Sequence, residues 1–309
     1  MQSEHGFFKH KKVSLKTVLG IGGIVAAFIL LIFLIVFVVS MIRTTSLPSI
    51  YKVMKDWNNQ DYKAVYEKTG RILEKKPLDS QALMFRGFAC YYLAMSQIEA
   101  SLSESYIDEG IENLRNALEN CDLGLRPRIA YVLGKAYYQK GAYYADLACQ
   151  YLDEAYIAGF EADDLAEYRG LSYAALGDYE KSQECFTEAL SVNSSDLLLF
   201  AIAQNYYNVE NMDMSKQYLN QVITTTRDAD MEIKARLLLA EIFVQGGDWS
   251  QAEAQYDIVL EKQPDNADAY YGYGLIYEGE GDTAKARSCW RKALSLNPAH
   301  EKTRIKLER

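Results

Sequence analysis

The chain has 309 residues, 49% apolar, with 24 tyrosines and only five prolines. That composition suits one large helical domain, or two ordinary ones, packed through aromatic side chains. The formal net charge of −9 is uneven: residues 1–43 hold Lys9, Lys11, Lys12, Lys16 and Arg43 against Glu4, or +4, which leaves −13 for the rest. An acidic body of this kind repels phosphate backbones and argues against a nucleic-acid partner.

Residues 1–16 form a basic tail that is expected in the cytoplasm. Residues 17–42 carry no charged side chain and as a helix would span about 39 Å, against a bilayer core of about 30 Å. The run is longer than the apolar region of a cleaved signal, and Ser-Met-Ile-Arg follows it, so an uncleaved signal anchor is expected. Lys9, Lys11, Lys12 and Lys16 precede it, and Arg43, Lys52 and Lys55 follow. This bias points the N-terminus inward and the remainder to the extracytoplasmic side, the periplasm in a two-membrane bacterium. Small residues at Gly22/Ala26 and Gly23/Ala27 leave a homo-oligomer open.

From residue 46 onward the chain reads as helix pairs. The first, about 46–78, keeps Gln60–Tyr62 and Pro77 with a short opening helix. The second, 79–120, keeps Leu83, Gly87, Leu114, Ala117 and Leu118 around extra residues that extend both helices. The third, 127–160, keeps Leu133, Gly134, Tyr137, Ala148, Leu152 and Ala155, with an insertion near Gly141–Tyr143. The fourth, 163–195, keeps Gly170, Tyr173, Gly177, Asp178, Tyr179, Phe186 and Ala189. Arg169 stands there where a leucine is expected. The fifth, 196–230, keeps Ile202, Ala203, Tyr206, Leu219 and Val222 but lacks a Gly-Asp turn. The sixth, 233–266, and seventh, 267–300, align without gaps, and residues 301–309 make a polar cap.

That last alignment is position-specific. It pairs Leu239 with Tyr273, Ala240 with Gly274, Phe243 with Tyr277, and Gly247-Asp248 with Gly281-Asp282. Further on it pairs Ala252 with Ala286, Tyr256 with Trp290, and Pro264 with Pro298. A period of this size is the mark of stacked two-helix units. Small residues let helices approach, large ones fill between them, glycine caps the first helix and proline follows the second. The glycine and turn residues recurring in each unit exclude a coiled coil.

The pattern resembles the tetratricopeptide-repeat (TPR) family. The resemblance implies an all-α fold: a right-handed TPR α-solenoid of about seven helix pairs, here preceded by a single transmembrane helix. It also implies a concave groove, lined by the first helix of each pair, that binds proteins or peptides. The groove positions fall on Tyr131, Lys135 and Tyr138, then Leu171, then Phe200, Gln204, Tyr207 and Asn208. Leu237 and Glu241 follow, then Tyr271. One TPR subtype grips a terminal carboxylate with Lys and Asn. The matching slots here hold Tyr131, Glu167, Phe200, Leu237 and Tyr271, so that clamp is missing.

No catalytic constellation is visible. His5 and His10 precede the apolar run and His300 ends the last pair, so no base lies within the repeats. No phosphate-binding glycine loop occurs. The cysteines Cys90, Cys121, Cys149, Cys185 and Cys289 lack metal-ligand spacing and read as small buried residues. No cofactor or metal is expected. The expected role is a membrane-tethered interaction scaffold or assembly factor for a cell-envelope complex of secretion, cell-wall or flagellar type. Alternatives are a periplasmic chaperone for unfolded clients and a cytoplasm-facing regulatory subunit.

Overall fold

Each helix pair is organised by the turn that closes it. At Gly177, Gly247 and Gly281 the backbone enters the left-handed region, with φ of 85°, 72° and 85°. Glycine adopts that conformation without steric penalty. The next residue is aspartate, and its side chain accepts from the backbone N–H three residues on: Asp178 from Lys181, Asp248 from Gln251, Asp282 from Lys285. One dipeptide thus ends a helix and caps the next.

The computed structural model describes residues 47–308 together with Leu31, Ile32 and Leu34. Those three are helical and exposed. The basic tail 1–16 and the rest of the expected anchor 17–42 lie outside the described residues. Among the described residues, no helix is long and apolar enough to cross a membrane.

The chain divides into two compact units after Pro77. In the first, α1 (Ile50–Asn58) and α2 (Tyr62–Leu73) form one hairpin around Val53, Val65 and Ile72. Its turn uses Gln60 at φ 58° and Asp61, which caps Ala64. Asp56 and Lys68 pair across it.

The second unit holds six hairpins and a terminal helix. They are α3 (Ser80–Met95) with α4 (Ala100–Glu119), α5 (Arg126–Gln139) with α6 (Ala145–Ile157), and α7 (Leu165–Leu176) with α8 (Tyr179–Val192). Next come α9 (Asp196–Asn208) with α10 (Met212–Thr225), α11 (Ala229–Gln245) with α12 (Trp249–Lys262), and α13 (Ala267–Gly279) with α14 (Thr283–Leu296). Helix α15 (Glu301–Glu308) closes the row. We number the hairpins I to VII in chain order, α1/α2 being I. Long α3 and α4 match the expected extension of both helices, and the insertion after Gly141 is a short 3₁₀ turn, Ala142–Tyr144.

Two details depart from the expected pattern. Helix α11 begins at Ala229, ahead of the expected 233, because Asp228 caps it by accepting from Asp230 and Met231 N–H. Hairpin V does have the shared turn, built without glycine: Glu210 takes φ 59° and Asn211 caps Met214.

Small residues sit where helices meet. A Cβ on Gly274 would lie 2.0 Å from Trp290 Nε1, and one on Gly170 would lie 2.5 Å from the Phe186 ring. Ala240, which aligns with Gly274, is fully buried, as are Ala252 and Ala286 on the facing second helices. Arg169, in the leucine slot, is accommodated by partners from both sides. Its guanidinium lies 2.8 Å from Asp153 on α6, 3.7 Å from Glu188 on α8, and 3.8 Å over the Tyr156 ring.

Candidate binding groove

Each hairpin of the second unit packs on the next, and its first helices α3, α5, α7, α9, α11 and α13 touch in succession. Their free faces therefore form one continuous inner wall. A helix presents residues i, i+3, i+4 and i+7 on one side. On α11 these are Lys234, Leu237, Leu238 and Glu241; on α13, Asp268, Tyr271 and Leu275; on α9, Phe200 and Gln204.

All of these side chains line one cavity of about 290 Å³. Tyr256 completes it from the second helix α12. Its ring reaches the wall because residue 272 is glycine, where a Cβ would lie 2.1 Å from Tyr256 Cζ. Lys302 closes the far side from α15, its Nζ 3.8 Å from Glu241. His300 holds α15 in place. Its Nδ1 accepts from Thr303 N–H at 3.2 Å, and its Nε2 faces Asp268 at 3.0 Å. The ring also lies 5.2 Å from that of Tyr271.

Five of the expected groove residues thus meet in one place: Phe200, Gln204, Leu237, Glu241 and Tyr271. Tyr207 stands beside them. Its hydroxyl donates to Glu241 at 3.2 Å and accepts from Gln245 Nε2 at 2.5 Å. Burial first, then the Glu241 charge, raises the Tyr207 phenol above its ordinary range, so it stays a neutral donor. Tyr207 and Asn208 face a separate open hollow with Met212, Phe243 and Gln245.

The remaining positions behave differently. Leu171 packs on the buried cluster of Phe186, Leu198 and Ile202. Lys135 is only 7% exposed, which corrects its placing among groove contacts. Its ammonium lies 2.7 Å from Asp164 and 4.4 Å from the Tyr168 ring centre, with the Tyr131 and Tyr91 rings at 5.0 and 5.4 Å. Tyr131 donates to the same aspartate. These groups hold hairpins III and IV together. Tyr138 stays partly exposed, edge-on to Tyr168 at 5.5 Å.

Six lining residues escaped the sequence reading: Lys234, Leu238, Tyr256, Asp268, Leu275 and Lys302. Helical spacing from Leu237, Glu241 and Tyr271 could have found four of them. Lys302 repeats the position of Lys234 and Asp268 in the cap. Only the missing Cβ of Gly272 hints at Tyr256. Among the described residues no group of His, Cys, Asp and Glu could hold a metal ion, and all five cysteines are free thiols.

A row of two-helix units with a shared inner wall defines a helical-repeat protein. The description "Tetratricopeptide repeat" matches residues 164–196 and 237–301. Tetratricopeptide repeat protein 8 of Caenorhabditis elegans is 23% identical over 264 residues, which are 81% of this chain and 48% of that protein. The chain thus spans about half the length of that curated relative. Among solved structures, the C-terminal part of a TPR repeat-containing protein from Cytophaga hutchinsonii is 15% identical, with a TM-score of 0.57, covering 82% of this chain and 98% of that one. A tetratricopeptide repeat protein from Parabacteroides merdae is 19% identical, with a TM-score of 0.56, covering 84% and 96%. Identities this low speak to the fold alone. Residues 164–196 and 237–301 belong to the tetratricopeptide-repeat family. Proteins of this family are generally protein-interaction scaffolds that bind proteins or peptides, and no enzymatic family is indicated.

Proposed function

We propose that the chain is a membrane-tethered interaction scaffold that engages partner proteins through the inner wall of its repeats and helps assemble a cell-envelope complex. The observation that carries the groove is the meeting of Phe200, Gln204, Leu237, Glu241 and Tyr271, from three successive first helices, in one cavity. Aromatic and aliphatic anchors in such a depression, rimmed by amide and charged groups, suit a protein surface. The tether rests on the uncharged run 17–42 and its basic flank. Holding the repeats beside a bilayer raises the effective concentration of partners there.

The test is affinity capture from membranes with a photo-crosslinking residue at position 238. Crosslinked partners are expected, and Phe200→Ala with Tyr207→Ala should lower their recovery at least about tenfold. Recovery unchanged by that pair would refute the groove. One observation favours a second reading: five unpaired thiols suit a reducing compartment, as in a cytoplasm-facing regulatory subunit. A reporter fused after Arg309 separates the two, because activity confined to the cytoplasm would reverse the orientation.

A further inference from the structure

The inner wall is not chemically uniform along its length. One residue per hairpin occupies the equivalent place on it: Tyr131, Glu167, Phe200, Leu237 and Tyr271. At hairpin IV that residue is a carboxylate. Glu167 is half-buried and makes no hydrogen bond or ion pair with any described residue. The nearby cation, Lys135, is already held by Asp164. Burial, with the Asp164 charge second, pushes the Glu167 carboxyl above the usual range against the smaller opposing pull of Lys135. Tyr138 lies within its electrostatic reach.

Two hairpins further on the unpartnered charge is a lysine. The cavity between α9, α11 and α13 is floored by Phe200, Leu237, Leu238 and Leu275. Of its charged residues, Asp268 faces His300, and Glu241 accepts from Tyr207 and lies 3.8 Å from Lys302. Lys302 and Glu241 are both more than a third exposed, so that ion pair is weak. Lys234 is exposed and pairs with no described acid. The formal charges of these four residues cancel, and the one left without a hydrogen-bond or ion-pair partner among the described residues is Lys234.

Resting on the reading of this wall as a protein-binding surface, we propose that it takes an extended partner segment of fixed charge order. A Lys or Arg side chain sits against Glu167 beside Tyr138. An apolar side chain fills the cavity, and an Asp or Glu next to it meets Lys234 and Lys302. Packed helices lie roughly 8–10 Å apart, so α7 to α11 is about 16–20 Å. At roughly 3.3 Å per extended residue, five or six residues separate the basic side chain from the apolar–acidic pair.

The probes are two fluorescent peptides of identical composition. One carries an arginine about six residues from a Phe-Glu pair; the other has the arginine and glutamate exchanged. Each is made in both chain directions and titrated by anisotropy against the full chain in mild detergent at low salt. The first peptide, in one direction, should bind at least about tenfold more tightly than its exchanged form. Added salt should narrow that preference, as should Lys234→Ala on its exposed side chain. Glu167→Lys with Lys234→Glu, helical content unchanged, should invert it. Equal affinity for both peptides would overturn the charge order. If Phe200→Ala then abolishes the equal binding, the groove reading survives alone; if it does not, both fall. Binding by none of the peptides also overturns the charge-ordered segment.

Discussion

Single residues in this chain report how tightly the repeat geometry is enforced. Glu210 occupies a left-handed turn that hairpins IV, VI and VII give to glycine. An L-residue there costs roughly 1–2 kcal/mol, while glycine adds roughly 0.5–1 kcal/mol of unfolded-state entropy. Glu210→Gly should therefore stabilise the protein by up to about 1 kcal/mol, read as a higher urea midpoint at an unchanged slope. The opposite holds at Gly274. An added methyl would collide with Trp290, whose indole N–H donates to Tyr271 O at 3.3 Å. Gly274→Ala should cost about 1–3 kcal/mol and shift tryptophan fluorescence. Charge tells a third story. The raised Glu167 pKa means that its ionised form burdens the folded state, so Glu167→Gln should melt higher than wild type at neutral pH. That advantage should fade as acid protonates the wild-type carboxyl. Glu232 has the reverse sign. Lys262 and Arg236 hold its carboxyl low, so its contribution is present above the ordinary glutamate range and is lost as the pH falls from there through its lowered folded-state pKa.

At the scale of elements, the joints between hairpins were partly legible and partly hidden. Gly-Asp pairs announced three turns because one residue type supplies the conformation and the other the cap. Hairpin V hid its turn because Glu210 and Asn211 reach the same backbone at a cost that composition does not reveal. The start of α11 was hidden too, since Asp228 looked like part of a loop until its carboxylate was seen accepting from two backbone amides. Arg169 was legible only as an anomaly in a leucine slot. Its partners Asp153, Glu188 and Tyr156 lie on two other helices, so no local pattern could name them. Restoring the consensus should therefore do harm. Arg169→Leu would leave Asp153 partly buried without its cation and should cost about 2 kcal/mol. Adding Asp153→Asn should recover much of that, because the amide can still accept from the Tyr173 hydroxyl. Denaturation of the single and double variants checks both.

For the whole molecule, the six hairpins of the second unit spread its apolar core across each interface between them. The thiols sample that core. Cys90, Cys149 and Cys185 are buried, and burial pushes them up to about 12, about 12 and about 11. Cys121 and Cys289 are half-buried. Mass spectrometry of the native protein after brief alkylation at mildly basic pH should find the last two modified first. The other three should react only on unfolding. Contacts made between neighbouring hairpins also make stability a sum of local terms. The inner wall was legible at the scale of one helix, where Phe200, Leu237 and Tyr271 recur in step. Lys135 was misjudged because Asp164, Tyr91 and Tyr168 close over it from other elements. Lys302 was missed because it belongs to the cap.

The cavity between α9, α11 and α13 has no single owner among the hairpins. Cutting out hairpin VI and rejoining its neighbours, or exchanging the order of V and VI, would leave each surviving module able to fold and stack. Either rearrangement would erase the recess. What the protein recognises is written in the succession of its modules, so a lineage that duplicates or shuffles one of them keeps the architecture and forfeits the partner.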